Sequence, residues 1–177
     1  MPDKKENLYL FEAIELRNEY DRHIKLLEKL IKGDLNKSDR FFHNRDEEEK
    51  EPVSDFNQKE LEEKLKKIQT KRVKLNQAIQ VANFKYQIDY EGEKISIAEA
   101  LEIRKNLLTD IEEISERVIN SAYKRIIHKE ERDIVHEPKF PFKQIYENYQ
   151  NKIRKIKDIV TRIHIVNHRS VVNFREE

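Results

Sequence analysis

Apolar positions along this chain recur at helical spacing in four long stretches. The clearest runs Leu61, Leu65, Ile68, Arg72, Leu75, Ile79, Ala82, Tyr86, at intervals alternating four and three. That is a heptad seam held over more than three repeats, and it predicts one long helix. Asn57-Gln58-Lys59-Glu60 ahead of it has the form of a capping box. A second seam, Ile97, Leu101, Arg104, Leu108, Ile111, Ser115, Val118, Ala122, predicts a helix to about residue 128, opened by the capping box Ser96-Ile97-Ala98-Glu99. Leu10, Ile14, Ile24, Leu27 and Ile31 mark a helix over roughly 8–32, stopped by Gly33-Asp34. Phe142, Tyr146, Tyr149, Ile153, Ile156, Val160, Ile163 and Asn167 mark the last, placed after Pro138 and Pro141, since proline suits a helix's first turn.

The connecting segments differ in kind. Residues 33–56 hold an acidic run, Asp46-Glu47-Glu48-Glu49, and Pro52, and read as a linker or insertion that Phe41-Phe42 would dock. Residues 87–96 put Ile88, Tyr90 and Ile95 around Glu91-Gly92, the pattern of a small β-hairpin. In the tail, Val171, Val172 and Phe174 are apolar positions left over from the seams, suited to pairing with another subunit.

The helices echo one another. Glu12-Ala13-Ile14-Glu15-Leu16-Arg17 returns as Glu99-Ala100-Leu101-Glu102-Ile103-Arg104. Laying Arg17 on Arg104 also lays Ile24 on Ile111 and Ile31 on Val118, while Ile79-Gln80-Val81-Ala82-Asn83 matches Ile163-His164-Ile165-Val166-Asn167. The expected fold is therefore all-α, one domain over 1–177. It would be an antiparallel bundle of two pseudo-repeated helical hairpins, one over about 8–86 and one over about 95–169. Arg17, Arg104, Asn83 and Asn167 should gather at one end of it, at similar heights for a rise of about 1.5 Å per residue.

Composition narrows the function. Charged residues make up 40% and hydrophobic residues 37%, with two glycines, as suits long amphipathic helices. Thirty-six basic residues balance thirty-five acidic ones, without the excess of cations that non-specific nucleic-acid binding uses. No cysteine is present, which removes disulfides and Cys-based zinc sites. No run is apolar enough for a transmembrane helix or a secretory signal, so a soluble cytoplasmic protein is expected.

Chemistry-bearing positions are few. Arg17, Arg72 and Arg104 fall on or beside apolar seams, where a guanidinium needs partners. Ion pairs with Glu12, Glu15, Glu99 or Glu102 and recognition of an anion are both open to them. Asn83 and Asn167 could cap helix ends or orient a ligand. The late cluster Arg162, His164, His168, Arg169 with Arg175 could meet a phosphate, with Tyr86, Tyr90 or Phe84 stacking on a base, or could simply offset the helix dipole. His164 and His168 lie four apart, but Ile-Val-Asn between them lacks the glutamate of a zinc protease motif, so no metal site is assigned. There is no Gly-rich phosphate loop and no Ser elbow, so no catalytic residue is assigned.

The succession Ile79-Gln80 with Asn83, then Gly92, then Glu99-Ala100-Leu101 with Arg104, then Arg162-Ile163 with Asn167 resembles the septicolysin-like family of small bacterial helical proteins. Tyr86 stands where that family usually has Thr, and His168 where it has Trp. The resemblance implies an all-helical, oligomeric protein without an established activity. The lytic action in the family's name finds no segment here suited to enter lipid. Together these features lead to an expected non-enzymatic, homo-oligomeric protein without a cofactor. It would bind a small anionic ligand such as a nucleotide through Arg17, Asn83, Tyr86, Tyr90, Arg104, Arg162, Asn167, His168 and Arg169. The alternative is a scaffold oligomer in which those residues set register.

Overall fold

The seams become four helices: α1 (Leu10–Lys32), α2 (Gln58–Lys85), α3 (Ile97–Ala122) and α4 (Phe142–Asn167). The computed structural model describes residues 7–32, 53–130 and 132–174. Most of the linker, with Phe41-Phe42 and the acidic run, lies outside them, as does Arg175. Six short strands join the helices: β1 (Asn7–Tyr9), β2 (Gln87–Tyr90), β3 (Glu93–Ser96), β4 (Arg125–Ile127), β5 (Ile134–His136) and β6 (Val171–Asn173). They pair antiparallel as β1–β6, β2–β3 and β4–β5. Among the described residues the chain is thus mostly helical with three small sheets, of which the hairpin at 87–96 matches the sequence expectation.

The described residues fall into two compact units, one drawn from 1–82 and 170–174, the other from 83–169. In the first, β1 runs directly into α1, and Tyr9 faces Val171 across the β1–β6 pair. The N–H of Leu10 donates to the Ser170 carbonyl at 2.8 Å. The tail is therefore not free for another subunit: Val172 and Phe174 are buried within this chain, while Val171 stays partly open. Alternation explains this, since a strand buries every second side chain. Along α1 the buried residues are Leu10, Ala13, Tyr20 and Leu27. On α2, Leu75, Ile79 and Ala82 are buried and the earlier seam positions half-buried. Arg72, the polar break in that seam, is met by Asp21 of α1, Nε to Oδ1 at 2.9 Å. Asn57 caps α2, its Oδ1 accepting from the Glu60 N–H at 3.2 Å.

In the second unit, β2 and β3 close around Glu91 (φ 51°) and Gly92 (φ 91°). Two successive positive φ values define the primed turn whose twist matches a tight hairpin. The Ile97 N–H donates to the Tyr86 carbonyl at 3.0 Å. Ser96 and Glu99 then form a complete capping box: the Glu99 N–H donates to Ser96 Oγ, and Ser96's N–H to the Glu99 carboxylate. α3 and α4 pack along each other, tied midway by Lys152 to Asp110. α3 stops at Ala122, short of the expected 128, because β4 begins three residues on and pairs with β5.

The seam expected for α3 is off by one position. Its buried residues are Ile97, Ala100, Leu107, Ile114 and Ser121, whereas Leu101, Arg104 and Leu108 are exposed. This helix carries two adjacent apolar stripes, and periodicity alone does not say which faces inward.

Several positions correspond across the two regions. Adding 87 to the buried residues of α1 gives Ile97, Ala100, Leu107 and Ile114, all buried in α3. Adding 84 to Leu75, Ile79, Ile88 and Tyr90 gives Ile159, Ile163, Val172 and Phe174, again all buried. The bond from Leu10 to Ser170 maps onto the bond from Ile97 to Tyr86. The bond from the Tyr9 N–H to Glu12 Oε2 (2.9 Å) maps onto that from Ser96 to Glu99 (2.7 Å).

Candidate functional site

Seven of the nine candidate residues lie near the β2–β3 end of the second unit or at the end of α4. Strand alternation buries Tyr90, and that burial pushes its phenol upward from its ordinary pKa. The Glu91 carboxylate adds to the shift, and the nearby Lys155 opposes it. Tyr90 thus stays a neutral hydroxyl. Arg162, on α4, donates through Nη1 to the Asp89 carbonyl of β2 at 2.7 Å and through Nε to Asp158 Oδ2 at 2.9 Å. Lys155 holds Glu91 at 2.6 Å, which raises the lysine's pKa. These cations stitch α4 to the hairpin, so Arg162 already has a structural task.

Tyr86 is half-buried. Its carbonyl serves Ile97, and Lys85 Nζ sits 5.4 Å from its ring centre. Asn83 is buried on the last turn of α2. Asn167 ends α4, and its Oδ1 is enclosed without a hydrogen bond. An unsatisfied enclosed acceptor costs about 1–3 kcal/mol, and it calls for a donor, which a phosphate oxygen is not. Turning the amide over would present Nδ2 instead. His168 caps α4, its N–H donating to the His164 carbonyl at 3.2 Å, and the Arg169 N–H follows to Val166 at 3.0 Å; both side chains are exposed.

The two repeated arginines differ. Arg17, in the first unit, is half-buried, with Nη2 3.4 Å from Asn18 Oδ1. Arg104, in the second, is exposed on the outer stripe of α3. Neither forms the ion pair with Glu12, Glu15, Glu99 or Glu102 that the sequence left open: Glu12 and Glu99 bond to backbone at their helix starts. Among the described residues no group of three or more His, Cys, Asp or Glu is placed to hold a metal ion, and no helix is long and apolar enough to cross a membrane.

Sequence reasoning missed the other end of the α3–α4 pair. There a cleft of about 440 Å³ opens between the end of α3 and the start of α4. Tyr123, Phe140 and Phe142 line it, 80%, 56% and 45% exposed, beside the Lys124–Glu137 ion pair at 2.6 Å. Phe142, Tyr146 and Tyr149 continue from it as a stacked ladder, with ring centres 5.5 and 6.4 Å apart. The signal lies in Phe140-Pro141-Phe142 and the aromatic opening of the last seam, which periodicity alone does not separate from a buried stripe.

No protein-family model matches this chain, and no curated protein matches it. A solved structure from Corynebacterium diphtheriae, described as that of a functionally unknown conserved protein, has the same fold, with a TM-score of 0.70 at 19% identity. The alignment covers 94% of this chain and 99% of that one. At this identity the likeness is one of fold.

Proposed function

We propose that this protein is a non-enzymatic, self-associating helical scaffold, built as two copies of one strand–helix–helix–strand unit, β1-α1-α2-β2 and β3-α3-α4-β6. One observation carries the reading. Positions that match in burial and backbone bonding differ in surface chemistry. At the matching positions α2 holds Gln58, Glu62 and Gln69 where α4 holds Phe142, Tyr146 and Ile153. Phe142, Tyr146 and Ile153 are 45%, 41% and 41% exposed. The polar version proves sufficient for the helix, so the apolar version serves contact with something else. The resemblance to septicolysin-like proteins carries the same expectation of an oligomeric helical protein. Sedimentation velocity tests it: a species of at least twice the chain mass is expected at micromolar concentration. A monomer throughout the range to about 100 µM would sink it.

A second reading, an anion held near Arg104 and Asn167, has the unbonded Asn167 Oδ1 in its favour, provided the amide turns over. Its test is a thermal-shift series with phosphate and nucleotides. Binding at 100 times Kd stabilises by about 2.7 kcal/mol. Because Arg104 is exposed, Arg104→Ala should leave the unliganded melting point in place and abolish any shift. If no anion raises the melting point, this reading fails.

A further inference from the structure

We infer that the aromatic face opening α4 is the self-association surface, and that two copies meet there with their α4 helices antiparallel. The inference rests on the scaffold reading and gives it an address.

Three observations support the choice of a second copy as occupant. First, area. Tyr123, Phe140, Phe142, Tyr146 and Ile153 are between 41% and 80% exposed. With aromatic side chains of about 150–250 Å² each, they leave on the order of 500 Å² of contiguous apolar surface uncovered. A stable dimer buries about 800 Å² per partner, about 65% of it apolar when the partners are identical. One such face per copy therefore supplies the apolar centre of an isologous interface.

Second, spacing. Phe142, Tyr146, Tyr149 and Ile153 follow at four, three and four residues. That pattern reads the same in both directions. Two antiparallel helices crossing between Tyr146 and Tyr149 place Phe142 of one copy on Ile153 of the other, and Tyr146 on Tyr149, in both directions at once.

Third, the rim suits an identical partner. In that register Lys143 of one copy flanks Gln150 of the other, so no like charges are opposed. Further along the same flank, Glu147 and Arg154 are opposite in charge. The exposed Leu26 and Leu30 on α1 form no comparable ladder, being two isolated leucines four residues apart.

The chain has no cysteine, which gives a clean test. In the full-length double variant Lys143→Cys/Gln150→Cys, the two thiols lie on one helix about 10.5 Å apart. That is beyond disulfide reach, so any bond formed joins two copies. A covalent dimer is expected on mild oxidation. The matching pair on α2, Lys59→Cys/Lys66→Cys, should stay monomeric. The triple variant F142Q/Y146E/I153Q carries the residues that α2 already has at the matching positions. It should keep its helical circular dichroism and weaken self-association at least about 100-fold. If the native chain sediments as an oligomer but the triple variant associates as tightly, or both cysteine pairs cross-link equally, this face is the wrong one and the scaffold reading survives. A native chain that sediments as a monomer overturns both.

Discussion

In the two-copy reading proposed above, residues 7–90 and 93–174 share one plan with different surfaces. Both start a helix from a strand, hold the first helical N–H on the carbonyl ahead of the opposing strand, and turn a glutamate three residues into the helix back to the preceding N–H. What they share is buried or bonded to backbone. Much of what they do not share is at least partly exposed. Asp21 and Arg72 form an ion pair in the first region, where Leu108 and Ile156 stand in the second. A folded core constrains its lining tightly through packing. The outer face is constrained only by what it meets, so a difference there carries information about partners.

The comparison can be broken at its strongest point first. Leu75 and Ile159 are matching positions, each fully buried. Leu75→Ala and Ile159→Ala should each destabilise by about 2–5 kcal/mol, and by similar amounts in urea titration. A loss confined to one of them would deny that the two positions are equivalent.

Capping gives a smaller, asymmetric effect. Ser96 caps α3 through its hydroxyl, while Tyr9, its counterpart, has no hydroxyl in reach of the α1 backbone and leaves the return bond to Glu12. Ser96→Ala should cost about 1 kcal/mol, and Tyr9→Ala should lose only the ring's contact with Phe11.

The surface swap should be smaller still. The Asp21–Arg72 side chains are more than a third exposed, and such pairs contribute about 0–1 kcal/mol. Asp21→Leu with Arg72→Ile, which imposes the second region's residues, should leave the melting point within a few degrees. A large change in either direction would show that the pair does more than fill a face.

The smallest effect is in pH. The Ser96 N–H and hydroxyl hold the Glu99 carboxyl below its ordinary pKa of 4.5. Its folded pKa is lowered, so the stabilisation is present above the unfolded value and lost as pH falls through the folded one. The melting points of the native chain and Glu99→Gln should differ at pH 6 and converge toward pH 3.

How much could be read beforehand followed from physical uniqueness. The α2 seam from Leu61 to Tyr86 is buried or half-buried with Arg72 as its break, though Tyr86 lies just past the helix end, and Val73, Val81 and Phe84 are exposed outside it. α3 has two stripes, and the seam through Leu101, Arg104 and Leu108 settled on the outer one. The 87–96 hairpin was legible because its partners are adjacent and Gly92 marks the turn. The β1–β6 pair was not, because three-residue strands separated by more than 160 positions leave no local pattern. Of the candidate site, the cationic and aromatic character around Tyr90 and Arg162 was visible. Arg162's bonds to Asp89 and Asp158 depend on the folded approach of α4 to β2, which no spacing encodes.

The central claim, that one unit is used twice, is tested most directly by circular permutation. The permuted chain would join Phe174 to the residue before Asn7 through a Glu-Gly turn and open between Glu91 and Gly92. If β1–β6 and β2–β3 are the same joint, this exchanges a closed turn for an open one at equivalent places. The permutant should then fold with native circular dichroism and a melting point within about 5 °C of the native chain. A permutant that stays unfolded would contradict the claim.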